Sequence, residues 1–219
     1  MSSAAIQLLV LAGIAVFLIL RLRSVLGTRE GFEKAPDKVN APARPGRPEL
    51  EVIEGGPDHD ITDHVPDGSE SAKALAAMKL AEPGFNVSEF LTGARQAYEM
   101  ILMAFERGDI SGVRDFLDPE VAQAFDAVIA ERAEKGLTIE SSIVGVRDVV
   151  LRSASFDRDS REGELTVRFE AELTTVVKDA ENRIVEGDPN EIKRQRDTWS
   201  FAREMGAQDP NWLLVATGE

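Results

Sequence analysis

The sequence predicts an α+β protein tied to a membrane: an N-terminal transmembrane helix, a disordered linker, and a domain whose helices pack on a curved antiparallel sheet. Three observations predict this. Residues 1–20 contain no charged side chain. Six of the ten prolines lie between Pro36 and Pro66. After Gly136 the apolar period changes from three-to-four residues to two, and helices followed by a meander of strands is the α+β order.

The first element is the apolar run Ala4–Leu20, seventeen residues of which eleven are Leu, Ile, Val or Phe. Ala4, Gln7, Leu11, Phe17 and Leu20 mark its length, and Gln7 is its only clearly polar member. As a helix it extends about 26 Å, against roughly 30 Å of bilayer hydrocarbon. The apolar side chains sum to roughly −3 to −6 kcal/mol in favour of insertion. A signal peptide carries its positive charge before the run, whereas here Arg21, Arg23 and Arg29 follow it. Residues 1–27 therefore read as an anchor with a basic flank. The positive-inside bias places the N-terminus outside and the remainder in the cytoplasm.

Residues 28–69 form the linker. Their prolines, few large apolar residues and lack of period cannot bury a core. As a flexible coil, residues 30–69 span about 35 Å root-mean-square. Both histidines, His59 and His64, sit here among Asp58, Asp60 and Asp63; a solvated acidic linker fits them better than a metal site.

Residues 70–84 are a connecting helix, with Leu75, Met78 and Leu80 stopped by Pro83-Gly84. It is either a mobile arm or an extra helix of the fold. The domain proper covers 85–219. Asn86-Val-Ser-Glu89 is a box-like N-cap for an amphipathic helix running to Gly108. Asp109 caps a short helix with Val113, Phe116 and Leu117. Asp118-Pro119 starts a fourth helix that buries Val121, Phe125, Val128 and Ile129 and ends at Lys135-Gly136.

Strands follow at Leu137–Ala154 and Glu164–Lys178, the latter with Leu165, Val167, Phe169, Ala171 and Leu173 on one face. A turn and short continuation precede Ile192–Glu204, with Trp199 and Phe201 inward, and a last strand at Trp212–Thr217. Phe105, Phe169, Trp199, Phe201 and Trp212 are pocket lining or plain core; core is the better reading.

The chemistry on offer is thin. There is no Cys, and with both His in the linker no Ser-His, Cys-His or His-metal site belongs to the domain. Neither phosphate-loop nor dinucleotide fingerprint occurs, so no cofactor is expected. Residues 21–50 carry seven Lys/Arg against four Asp/Glu, a net of +3. From the total of −14 this leaves −17 for residues 51–219. So acidic a bulk argues against nucleic acid. "EIKRQRD" (Glu191–Asp197) is a local basic patch, read first as a solvated strand face paired with nearby acids.

The segments "FLILRLRSVLGTREG", "FLTGARQAYEMILMAFERGDISGVRDFLDPEVAQAF", "AVIAERAEKG" and "WSFAREMGAQDPNWLLVATGE" resemble the Tim44-like domain family, and its bacterial membrane-anchored branch above all. The G-D turn, the D-P helix start, W-x-F-x-R and D-P-N-W stand in the family's order. The resemblance implies an NTF2-like or cystatin-like domain that scaffolds proteins at a membrane, without a catalytic motif. The resemblance implies that the domain of mitochondrial relatives contacts anionic lipid and sits beside a chaperone motor; the long basic helical region through which they recruit that chaperone is replaced here by an acidic Pro-rich tether.

The function expected is an inner-membrane adaptor in a bacterium, not an enzyme. It engages proteins such as a chaperone or translocase component, with anionic lipid as a further contact. Binding of a lipid or small hydrophobic ligand in the sheet cavity is the alternative, and an NTF2-like enzyme ranks below it.

Overall fold

The computed structural model describes residues 58–218. The expected anchor, its flank Arg21, Arg23 and Arg29, and the linker up to residue 57 lie outside the described residues. Among the described residues no helix is long and apolar enough to cross a membrane.

The first difference from expectation is where order begins. Residues 58–69, read above as linker, belong to the fold. A four-residue helix α1 (His59–Thr62) is capped by Asp58, and Ile61 and Val65 are buried. One helical turn leaves too short a period to read, and the prolines on either side mask it. The signal was the pair Ile61 and Val65 at four-residue spacing.

Helix α2 (Glu70–Ala81) begins at Ser69, whose hydroxyl accepts the Ala72 N–H at 3.1 Å. It buries Ala72, Leu75 and Met78, which makes it an integral helix rather than an arm. Gly163 permits this: a Cβ there would stand 2.9 Å from Met78 Cε. Helix α3 (Val87–Glu106) is the long amphipathic one. Asn86 caps it as expected, accepting from the Glu89 N–H at 2.8 Å. The short helix after Asp109 is 3-10 (Ser111–Phe116). Helix α4 (Pro119–Glu134) buries Val121 and Ala122 fully, while Phe125 and Ile129 are only partly covered. This helix lies at the periphery, so its apolar face is narrower than its spacing suggests.

Five strands form one antiparallel sheet: β1 (Thr138–Phe156), β2 (Glu162–Lys178), β3 (Ile184–Gly187), β4 (Lys193–Glu204) and β5 (Leu213–Gly218). Their order is β1-β2-β4-β5, and β3 pairs with the far end of β2. The pairing of β1 with β2 shifts register at three places, after Ile143, Val146 and Leu151. Bulges of this kind bend a strand, which curves the sheet around α3.

Both sheet edges are partly covered. Ser71 Oγ accepts the Ala154 N–H of β1 at 3.1 Å, and the Arg95 guanidinium donates to the Val146 carbonyl. On the other edge, Asp118 N–H donates to the Leu214 carbonyl of β5 at 2.9 Å. Covering an edge this way prevents stray strand pairing. The core lies between α2, α3 and the inner face of the sheet, centred on Tyr98, Phe169, Phe201, Leu75 and Met78.

Candidate protein-docking surface

The inner face is filled. Phe169, Trp199 and Phe201 are buried, and the Tyr98 ring of α3 stacks on Phe169 with centroids 4.4 Å apart and planes 9° apart. Tyr98 also meets Trp199 at 4.7 Å. The phenol donates to Asp197 Oδ2 at 2.5 Å, and Gln195 Nε2 donates to the same oxygen at 2.8 Å. Burial pushes the Tyr98 phenol well above its ordinary range, and the bond to Asp197 and that group's charge push the same way. Tyr98 is thus a fixed donor.

Phe105 and Trp212 sit at opposite ends. Phe105 contacts Phe125 at 4.5 Å, with the Arg132 guanidinium 4.3 Å from its ring centre. Trp212 lies 4.8 Å from Phe90 and 5.9 Å from Phe85. The five aromatics expected as pocket or core therefore divide into a central stack and two flanking contacts. A shallow concavity of about 290 Å³ lies elsewhere, lined by Arg114, Leu117, Pro119, Ala122, Gln123 and Asp126. An Arg114–Asp126 ion pair at 2.8 Å spans two of its lining residues.

Two ionic clamps fasten the N-terminal helices. Asp60 accepts from the Val87 N–H at 2.8 Å and the Ser88 N–H at 3.1 Å, at the start of α3, and pairs with Lys79 at 2.8 Å. Burial opposes its charge, but these bonds hold its carboxyl below the usual range. Glu82 receives Arg203 Nη2 on both oxygens at 2.7 Å, and the Gly206 N–H at 2.7 Å. Arg203 also lies 5.1 Å from the Trp212 ring centre. The sequence shows Arg203 only as a motif letter and Asp60 only as a linker acid, and nothing in it marks Glu82 as the partner of Arg203. No local spacing signals a pair separated by more than a hundred residues.

The outer face differs. Residues facing each other across strands share a side, so Arg194 opposite Glu172 and Arg196 opposite Glu170 stand on the face opposite Phe169. Glu172 accepts from Arg147 Nη2 at 2.6 Å and pairs with Arg194 at 3.4 Å, while Glu170 pairs with Arg194 at 3.3 Å. The two carboxylates are recessed, at 16% side-chain exposure, whereas Arg147, Arg194 and Arg196 are 62%, 64% and 61% exposed. The Arg147 guanidinium holds Glu172 below the usual carboxylate range, burial opposing and Arg194 adding to it. The acids lie beneath while the cations face solvent. Val144, close to Arg147 in the chain, and Ile192, close to Arg194, are each about half exposed, as are Ile184 and Val185 of β3, which pairs with the far end of β2. The "EIKRQRD" patch is thus a paired strand face, but one that presents its basic side outward.

The family described as the Tim44-like domain matches residues 71–219. The chain belongs to the Tim44-like domain family. Among curated proteins it is similar to the mitochondrial import inner membrane translocase subunit TIM44 of Homo sapiens, 25% identical over 153 residues and 67% of this chain. The same subunit of Rattus norvegicus is 23% identical over 150 residues. The chain covers 33% of the length of each of these relatives. Among solved structures, the intermembrane-space region of the chloroplast protein ARC6 aligns at a TM-score of 0.38 and 14% identity, over 60% of this chain and 92% of that one.

Within the Tim44-like domain the W-x-F-x-R motif has a structural role. Trp199 and Phe201 fill the core and Arg203 holds α2 through Glu82. In D-P-N-W, Asp209 Oδ1 accepts the Asn211 N–H at 2.9 Å, an Asx turn that delivers Trp212 to Phe90.

Proposed function

We propose that this protein is a single-pass membrane-anchored adaptor. Ala4–Leu20 spans a bacterial inner membrane, and the Tim44-like domain, of NTF2-like or cystatin-like build, binds proteins on its cytoplasmic side. The observation that carries this is the outer face of the sheet: exposed guanidiniums and half-exposed β-branched residues, on a domain whose inner face is closed by Tyr98, Phe169 and Trp199. Exposed apolar side chains rimmed by charge mark interaction surfaces. Relatives that are subunits of a mitochondrial inner-membrane translocase support a place in protein transport, and membrane-protein quality control is the neighbouring role. Tethering raises the effective concentration at the membrane to about the millimolar range, so a weak interface suffices.

The reading includes no catalysis: Tyr98, whose phenol burial pushes up, is unfit as a base at neutral pH. The test is in-cell crosslinking and affinity purification of the tagged full chain, beside a form lacking residues 1–26. The adaptor reading expects a recurrent envelope protein with the full chain and loss of function in the truncated form. Unchanged complementation by the truncated form sinks the anchored adaptor.

A further inference from the structure

The adaptor reading leaves open what chemistry the domain recognises, and the outer face answers it. The domain region is strongly acidic, −17 over residues 51–219, yet this face inverts that sign locally. Glu172 is the centre of the inversion. Arg147 reaches it from β1 and Arg194 from β4, at 2.6 and 3.4 Å. Because the carboxylates of Glu170 and Glu172 sit low and the guanidiniums high, an approaching molecule meets cations first. Each guanidinium has donors beyond those used on its glutamate, since the group carries five N–H bonds.

Exposed apolar residues stand near these cations along the chain. Gly145 pairs with Glu172, so Val144 precedes that pair on β1, three residues from Arg147. Ile192 stands two residues before Arg194, which faces Glu172 from β4. Ile184 faces Lys178 at the far end of β2. Val144, Ile192 and Ile184 are 51%, 56% and 49% exposed. Arg147 and Arg194 thus each have an exposed β-branched residue two or three positions away in the chain.

We infer that the outer face around Arg147, Arg194, Ile192 and Val144 docks an acidic–apolar segment of a protein partner, one that interleaves carboxylates with β-branched or aromatic side chains. This rests on the adaptor reading and specifies its ligand. Charge complementarity selects the occupant. A carboxylate matches the guanidinium fork in two bonds. The acidic remainder of the domain repels the same segment everywhere else, which fixes both orientation and site. A basic partner meets the reverse: attraction over most of the surface and repulsion here. A bilayer of anionic lipid offers phosphate to the cations but brings its charge against the whole acidic domain, so the protein segment is favoured.

The experiment uses the full chain in detergent micelles and a short fluorescent peptide alternating Glu with Val and Ile, read by anisotropy. A peptide with Lys in place of each Glu is the control. The acidic peptide is expected to bind and to weaken as salt rises, and the Lys peptide not to bind at this face. The double variant Arg147→Gln/Arg196→Gln keeps Arg194 beside both glutamates, so the fold is retained. It should weaken the acidic peptide by about tenfold or more. Ile192→Gln, an exposed position, should weaken it less. Equal affinity for both peptides, or no response to either variant, overturns the proposal. Vesicles of phosphatidylglycerol and phosphatidylcholine form the other arm: sedimentation with vesicles that depends on Arg147 and Arg196, with no peptide binding, replaces the protein segment by lipid.

The two readings fail separately. Partners crosslinked in cells but indifferent to Arg147 and Arg196 leave the adaptor standing and remove this surface. Peptide binding without function for the anchor removes the adaptor and leaves the surface.

Discussion

Alternate residues of one strand build the two faces of β2, and the faces obey opposite rules. Leu165, Val167, Phe169 and Ala171 on the inner side are wholly buried. Arg168, Glu170 and Glu172 between them face outward, in contact with Asp148, Arg147, Arg194 and Arg196. The inner side gains from removing apolar area from water, about 25 cal/mol per Å². The outer side gains little from its exposed ion pairs. Stability and recognition are thus separated by a single step along the strand. Substitutions on one side should leave the other's property untouched.

The largest effect that tests this division is Phe169→Ala. It removes the ring on which Tyr98 stacks and the edge contacts to Trp199 and Phe201. A loss of about 3–5 kcal/mol is expected from the missing transfer energy and the cavity left behind, measured as a fall in the urea midpoint. A loss under about 1 kcal/mol breaks the comparison, because it means the inner face is loosely filled and has room for a ligand.

The inner face was the legible part. The period-two pattern of Leu165–Leu173 places the core residues of that stretch of β2 correctly, because alternation needs no knowledge of partners, while buried Val176 near the strand's end falls outside it. The caps at Asn86 and Asp118 were equally readable, since a cap bonds a residue two or three positions away. Two things were not: helix α1 is one turn long, and the Glu82–Arg203 clamp joins distant parts of the chain. Whether Phe169 lines a pocket or fills a core depends on Tyr98 reaching across from α3, and no spacing encodes that contact. The outer cations were visible as "EIKRQRD". What made them a surface was the depth of Glu170 and Glu172, which only the cross-strand register supplies.

The clamp is the second test. Glu82→Ala leaves the nearly buried Arg203, 8% exposed, without its carboxylate and should cost about 3 kcal/mol. Arg203→Ala on the same background should add much less than it costs alone, the signature of a shared interaction. Acid titrates the same pair. Burial works against the charge of Glu82, but Arg203 and the Gly206 N–H lower its pKa from the ordinary 4.5. A carboxyl whose folded pKa lies below its unfolded value stabilises fully above the unfolded pKa. That contribution is lost as the pH falls through the folded one. Asp60, lowered from 3.8, behaves alike. The urea midpoint should therefore drop below about pH 4.5, and the part due to Glu82 should be absent in Glu82→Gln.

The smallest expected effect is the most discriminating. Arg147→Gln leaves Glu172 facing Arg194, and Arg196→Gln leaves Glu170 facing the same guanidinium. Each change sits on an exposed side chain whose partner keeps a counter-ion. The melting temperature should therefore move by no more than about 2 °C by calorimetry. A shift comparable to that of the clamp variants shows the guanidiniums to be struts that hold β1 and β4 to β2, and the outer face then has the same job as the inner one. A negligible shift leaves several exposed arginines above recessed carboxylates with no work to do in the folded chain alone. Side chains as entropically costly to order as arginine, two or three residues along the chain from half-exposed Val144 and Ile192, then find their purpose only in contact with something else.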